Sequence, residues 1–118
     1  MDTIIKEELT LAGIDVDTAL ARFMNNEKLF QKMLYLFLED TNFQNLLNQL
    51  QAENYAEAYK ATHTLKGLCG NLALENLFTL CSTLCIAIKE NNINTIASLI
   101  PSIIETHTKL TKAIQKWN

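Results

Sequence analysis

The sequence predicts an all-α protein, an antiparallel up-down-up-down four-helix bundle with short N-terminal helices. Apolar residues recur at spacings of three and four over most of the chain, which is the period of an amphipathic helix. Only three glycines and one proline interrupt the 118 residues, too few for the many turns of an all-β fold. Short polar turns separate the periodic segments, and short turns make consecutive helices antiparallel neighbours.

Composition limits the classes of protein to which the chain can belong. Its 118 residues suit one domain over 1–118. A net charge of −3 argues against a nucleic-acid or anionic-membrane partner. An acidic N-terminus unlike a signal peptide, and the lack of an apolar run of about 18 residues, lead us to expect a cytoplasmic protein without a membrane segment. The three cysteines fall at apolar helical positions, which favours reduced, buried thiols over a disulfide framework.

The first segment, about 2–24, predicts a small helical lid that closes one end of the bundle. A short amphipathic helix ends at Gly13, since glycine favours the position just past a helix C-terminus. Asp15 or Asp17 would cap a second short helix that runs to Met24.

Four longer helices follow, and each carries an apolar stripe. In the first of them, the polar triplet 40–42 narrows that stripe. In the last, Asn94 is the expected cap, and Pro101 predicts a kink or a restart because it lacks a backbone donor. The predicted bounds are about 27–51, 54–71, 73–91 and 94–117.

The second bundle helix, 54–71, directs one histidine away from the core. At about 100° per residue, His63 lies roughly 160° from Leu65, which belongs to the apolar face. His63 is therefore predicted on the solvent side. The residues assigned to the apolar face are Tyr55, Ala58, Tyr59, Thr62, Leu65, Cys69 and Leu72.

The neighbours of His63 indicate a reactive histidine. Lys60 and Lys66 lie three residues to either side of it, and Gly67 and Gly70 continue the same exposed stripe. Glycine costs a helix interior about 1 kcal/mol relative to alanine, so two in one exposed stripe serve something other than helix formation. A stripe without side chains lets a partner approach His63, and the ammonium groups suit an anion carried on the imidazole.

The segment Ala61–Leu72 resembles the signature of the histidine-containing phosphotransfer (HPt) domains, which runs roughly A-H-x-L-K-G-x-x-x-x-x-G. His63, Leu65, Lys66 and Gly67 match it in register, and the resemblance extends over about 13–115. Three positions depart from the family pattern: the usual Ala before the histidine is Thr62, a small residue that is often Gly is Ala73, and a frequent Glu or Gln is Cys85.

The resemblance implies a phosphorelay intermediate of two-component signal transduction. His63 would accept a phosphoryl group from the aspartyl phosphate of a response-regulator receiver domain and pass it to another receiver. Lys66 would stabilise the phosphoryl group, and Lys60, Gly67 and Gly70 would contact the partner. A hybrid sensor histidine kinase is the other expected partner. We expect the protein itself to be a monomer.

The chain lacks the motifs of a kinase. It has no G-x-x-x-x-G-K-[ST] loop, no kinase-type glycine loop and no acidic cluster placed for Mg²⁺. We therefore expect a phosphocarrier without autokinase activity and without a cofactor, with Mg²⁺ held by the receiver. The competing hypothesis is a helical docking module that binds receivers without phosphotransfer.

Other candidate sites have simpler interpretations. His107 lies in the apolar repeat of the last helix and is predicted to be a partly buried packing residue. Cys81 and Cys85 are one turn apart and Cys69 faces the same core, but zinc needs four ligands and His63 points away. A di-metal carboxylate bundle would need inward Glu-x-x-His pairs, which the sequence lacks. No metal site is expected.

Overall fold

Seven α-helices build the molecule in a computed structural model that describes all residues, 1–118. They are α1 (Thr3–Leu11), α2 (Val16–Arg22), α3 (Glu27–Glu39), α4 (Asn42–Gln51), α5 (Tyr55–Asn71), α6 (Glu75–Lys89) and α7 (Ile93–Gln115). The only β-type pairing is an isolated antiparallel bridge between Ile14 and Leu74. The prediction of an all-α protein is confirmed. No helix combines the length and the apolar character needed to cross a membrane.

Side-chain oxygens cap the start of five of the seven helices, at Asp2, Asp15, Asn26, Asn54 and Asn92. The Asp15 carboxylate accepts hydrogen bonds from the hydroxyl and the backbone N–H of Thr18, and these bonds hold the pKa of Asp15 below its ordinary value. The predicted cap of the last helix, Asn94, is wrong by two residues. The Asn92 side chain accepts the N–H of Thr95 at 3.2 Å, so the helix begins earlier.

The predicted helix 27–51 is two helices, α3 and α4, with a break at Asp40. The backbone of Asp40 is extended (φ −67°, ψ 134°), and its carboxylate accepts the N–H of Asn42 at 2.8 Å. A side chain that binds the backbone locally in this way offers the chain an alternative to the next helical turn. The polar triplet 40–42 therefore ends one helix and starts the next.

Helix α7 runs unbroken through Pro101, so the restart that the sequence allowed there does not occur. Proline leaves the carbonyl four residues earlier, that of Ala97, without its usual partner. Both Pro101 and Ala97 are exposed, and water can therefore solvate that carbonyl at little cost.

One hydrophobic core of 28 buried residues runs through the molecule, which measures 43 × 21 × 20 Å. Helices α4 and α6 pack on α5, and α7 packs on α6 and α3. Trp117, two residues after the end of α7, joins the core, with its ring centroid 5.7 Å from that of Phe30. Its carbonyl accepts hydrogen bonds from Gln31 and Tyr35 of α3, which fixes the end of α7 against the bundle.

The lid predicted at 2–24 consists of α1 and α2, and the Gly13 turn connects them to the bundle. Gly13 has φ +97°, a conformation that residues with a Cβ rarely adopt. A Cβ at this position would lie 2.6 Å from the side-chain carbon and nitrogen of Asn76 on α6. The carbonyl of Gly13 also accepts the N–H of Asn76. The turn thus depends on a glycine for its backbone conformation and for its close contact with α6.

Replacing Gly13 by alanine should lower the free energy of unfolding by about 1–3 kcal/mol, because the variant combines a strained φ with a clash against Asn76. Gly67→Ala is the matched control. Nothing lies within 4 Å of a Cβ at Gly67, which is inside a helix, so this variant should gain up to about 1 kcal/mol. Urea unfolding followed by circular dichroism measures both. Equal effects of the two substitutions would contradict the assigned role of Gly13.

Candidate functional site

Helix α5 carries the predicted site. Burial of its inner face sets the rotation of the helix and so determines which residues face solvent. The residues of this helix that are buried are Ala58, Ala61, Thr62, Leu65 and Cys69. Thr62 is fully buried, but its hydroxyl donates to the carbonyl of Ala58 at 2.7 Å, so no polar group is left unpaired. This bond explains how the chain accommodates threonine directly before His63.

The C-terminus of α5 forms a Schellman motif that sets the turn into α6. The N–H of Leu74 binds the carbonyl of Cys69, and the N–H of Ala73 binds that of Gly70. Ala73 adopts φ +56° at the left-handed position of this motif, which glycine occupies most readily. The departure noted at this position therefore replaces glycine with the smallest residue that has a Cβ.

His63 is exposed on the outer face of α5, as its spacing from Leu65 predicted. None of the side-chain hydrogen bonds in the molecule involves its imidazole, as the full set of such bonds shows. Its one aromatic neighbour is Tyr59, one helical turn earlier, with ring centroids 6.1 Å apart and planes 8° from parallel. Both ring nitrogens are therefore free of protein partners.

The two lysines beside His63 differ in their partners. The Lys60 ammonium pairs with the carboxylate of Glu57 at 3.2 Å and is largely solvated. The Lys66 ammonium has no carboxylate within ion-pair distance and lies 5.9 Å from the centroid of the Phe78 ring on α6. Lys66 is thus the cation of this pair with charge available to an incoming anion.

The two glycines of the stripe also differ. Gly67 is exposed, and a Cβ built there would meet no atom within 4 Å, so the space beside His63 is open. Gly70 is half-buried rather than exposed, because the Phe78 ring lies 3.4 Å from the position of a Cβ and Arg22 donates to its carbonyl. The exposed stripe predicted from the sequence therefore reaches Gly67 and is partly covered at Gly70.

All three cysteines are free and buried, as their apolar spacing predicted. A hydrogen bond with the Cys81 thiol and burial raise the pKa of Cys69 above its ordinary value. Burial raises the pKa of Cys85 as well, and the ammonium groups of Lys66 and Lys89 oppose that shift. The positive charges of Lys66 and Lys89 therefore act on Cys85, but burial outweighs them and keeps its thiol protonated.

His107, the second histidine, is half-buried in an aromatic cluster, as the sequence predicted. Its ring stacks on Phe43 with centroids 3.6 Å apart and lies 5.8 Å from the ring of Phe37. Burial lowers the pKa of His107, because the charged imidazolium would lose hydration there. These contacts assign His107 to the packing between α7 and the region of the α3/α4 break.

His63 stands on a convex surface. The molecule has four grooves, and His63 lines none of them. The most enclosed groove, about 440 Å³, lies between α2, α3 and the C-terminal half of α5. Small-molecule sites are concave and bury most of their ligand. An exposed imidazole outside every groove is accessible to the surface of a macromolecule as well as to solvent.

Four neighbours of the site were not predicted as site residues. Tyr59 was assigned to the core face but is half-buried, and its ring reaches His63. The spacing of four residues between two aromatic rings on one helix was the available signal. Phe78, Arg22 and Lys89 come from other helices, and no local pattern could have placed them beside α5.

The family model described as Hpt domain matches residues 32–116, which is more than half of the chain. No curated protein and no solved structure matches the chain.

The lowered pKa of His107 predicts a pH-dependent loss of stability. The unfolded chain takes up a proton on this side chain near pH 6.5, whereas the folded protein does so only at lower pH. The stabilising contribution is therefore complete above that pH and is lost as the pH falls below it. Urea unfolding at about pH 7.5 and about pH 5.5 should show a larger loss for the wild type than for His107→Gln. An equal loss in the wild type and in His107→Gln would contradict this assignment.

Proposed function

The chain belongs to the Hpt domain family, and from that membership we propose that it is a phosphorelay intermediate with His63 as the phosphorylated residue. Hpt domains are phosphocarrier modules of two-component phosphotransfer. The observation that carries the proposal is the exposed imidazole of His63, free of hydrogen bonds, between open space at Gly67 and the unpaired Lys66 ammonium. We infer that the long helices form an antiparallel four-helix bundle, which the contacts of α5 with α4 and α6 support.

The proposed transfer needs little from this chain beyond a presented nucleophile. A ring nitrogen of His63 attacks the phosphorus of an aspartyl phosphate, a P–N bond forms, and the P–O bond to the aspartate breaks. The aspartate leaves as a carboxylate, which needs no proton. The reverse sequence hands the phosphoryl group to the next receiver. The unprotonated nitrogen of a neutral imidazole already carries a free lone pair, so no general base is required.

Lys66 would stabilise the phosphoryl group on His63 electrostatically. Its charge has no carboxylate partner, and its ammonium lies 5.9 Å from the centroid of the Phe78 ring on the neighbouring helix α6. The charge of Lys60 is already shared with Glu57. We therefore assign the phosphate-stabilising role to Lys66, and to Lys60 and Gly67 a place in the surface that meets the receiver.

Receiver domains and a hybrid sensor histidine kinase are the partners that this function requires. We propose that the receiver holds the Mg²⁺ and provides the catalytic groups, so that the chain has no autokinase activity. The proposed working state is a monomer in the cytoplasm, where the reducing conditions suit three buried free thiols.

Phosphate should appear on His63 alone, and only when a phosphorylated receiver is supplied. Labelled phosphate should transfer to the wild type and to His107→Gln but not to His63→Gln, and the label should be lost in acid and persist in alkali, as in a phosphoramidate. ATP alone should give no label. Because His63 is exposed, His63→Gln should keep its stability within about 0.5 kcal/mol of the wild type.

Two outcomes of this experiment would overturn the proposal. Label on a folded His63→Gln variant would refute the assignment of the residue. A wild type that binds receivers without ever taking phosphate would favour the docking module instead.

Lys66→Ala should slow transfer by about two- to fivefold, because exposed ion pairs are worth about 0.2–1 kcal/mol. The ideal Coulomb energy of two charges 4 Å apart near a surface, about 4 kcal/mol, is reduced by solvation and by the mobility of the side chain. Lys60→Ala is the matched control and should have a smaller effect, since Glu57 already neutralises that ammonium. Rapid-quench measurement of transfer from a phospho-receiver tests both. Complete loss of transfer in a folded Lys66→Ala variant would show an obligatory role.

A further inference from the structure

We propose that Tyr59 is a positioning residue for His63, holding the imidazole by ring stacking in the orientation from which it attacks phosphorus. The inference rests on the proposed phosphotransfer function. The two rings lie one turn apart on α5, with centroids 6.1 Å apart and planes only 8° from parallel. A parallel pair at this separation is laterally offset, which is a favoured arrangement of aromatic rings.

No other protein group restrains the imidazole. The side-chain hydrogen bonds of the molecule do not include His63. At the position on α6 where the family often has Glu or Gln, this chain has Cys85, whose thiol is buried with 6% of the residue exposed. An exposed imidazole without a partner would sample several rotamers. Stacking on Tyr59 is thus the contact available to hold it.

Tyr59 is itself restrained from a second helix. The Lys89 ammonium, in the last turn of α6, lies 5.2 Å from the centroid of the Tyr59 ring, within the range of a cation–π contact. Lys89 has no carboxylate partner in the molecule. Tyr59 is also half-buried and packs against the hydrophobic core. The orientation of its ring is therefore fixed by tertiary structure as well as by its own helix.

Stacking is well suited to a nucleophile. The lone pair of the unprotonated imidazole nitrogen lies in the plane of the ring, so a neighbour that stacks on the face of the ring leaves the attacking nitrogen free. A hydrogen bond from a side chain would occupy one of the two nitrogens. Tyr59 can thus orient the ring without competing for the atom that forms the P–N bond, and a pre-oriented nucleophile reacts faster.

The test compares Tyr59→Leu with Tyr59→Phe, which keeps the ring. Tyr55→Leu is the matched control, since Tyr55 is the other half-buried tyrosine of α5 and lies one turn further from His63. In a His107→Gln background His63 is the only histidine, so NMR reports the carbon-bound protons of its imidazole without ambiguity. Tyr59→Leu should remove the ring-current shift of those protons. Tyr59→Phe and Tyr55→Leu should preserve it.

The same variants should also differ in the rate at which they take the phosphoryl group from a phospho-receiver. Tyr59→Leu should transfer about three- to tenfold more slowly, whereas Tyr59→Phe should restore the wild-type rate. Circular dichroism checks that each variant is folded, and rescue by phenylalanine excludes a general packing defect as the cause.

Three results would overturn the inference. Unchanged imidazole shifts in Tyr59→Leu would show that the rings do not stack in solution. A wild-type transfer rate in Tyr59→Leu would show that stacking does not position the nucleophile, while leaving His63 as the phosphorylated residue. A wild type that takes no phosphate would instead refute the proposed function, and the positioning role with it, even where the imidazole shifts confirm the stack.

Discussion

Burial of the inner face of α5 is the constraint on which the rest of the structure depends. Leu65 is fully buried, which contributes about 2 kcal/mol, and its position fixes the rotation of the helix about its axis. A rotation that exposed Leu65 would bury His63 on the opposite side, at the cost of desolvating an imidazole. The apolar face of the helix therefore keeps His63 in water without any contact made by His63 itself. Helices α4 and α6 supply the apolar surface against which this face packs.

The turn between α5 and α6 transmits that constraint to the lid. The N–H of Asp15 binds the carbonyl of Ala73 at 2.9 Å, and Gly13 lies against Asn76 in the first turn of α6. Arg22 of α2 donates to the carbonyl of Gly70. The lid thus binds backbone carbonyls at and just after the end of α5, where the last carbonyls of a helix lack partners within the helix. It holds the geometry of the α5–α6 corner, which in turn places Phe78 beneath Lys66.

Much of this could be predicted from sequence, because the period of apolar residues determines which face of a helix is buried. The outward direction of His63, the buried thiols and the packing role of His107 all follow from that period. Gly13 was predicted as a helix terminator, which agrees with its φ of +97°. The resemblance to the family around His63 came from a different signal, a motif whose residues are close together in the chain.

The remaining features depend on competition between contacts or on contacts between helices. The helix breaks at Asp40 because its carboxylate accepts the backbone N–H of Asn42. The narrowing of the apolar stripe at 40–42 did not show whether this local bond or a continuous helix would be more stable. Both Asn92 and Asn94 could cap a helix, and the two-residue difference lies within the ambiguity of sequence patterns. Gly70 was expected to be exposed because its position on the helix faces outward, but the Phe78 ring of α6 covers it. The periodicity of one helix carries no information about which side chains of neighbouring helices pack over its surface.

A carrier that both accepts and donates a phosphoryl group must not bind it too tightly, and in the proposed relay the contacts around His63 would meet that requirement. A buried cation would stabilise the phosphorylated state strongly, whereas contacts with solvated cations are worth about 1 kcal/mol or less. Lys66 remains partly solvated against an aromatic ring, and Lys60 is paired with Glu57. The nearly parallel Tyr59 ring, 6.1 Å from the imidazole, adds no charge that would favour one state of phosphorylation. In the proposed relay the site therefore orients the nucleophile while leaving the free-energy difference between donor and acceptor receivers to decide the direction of transfer.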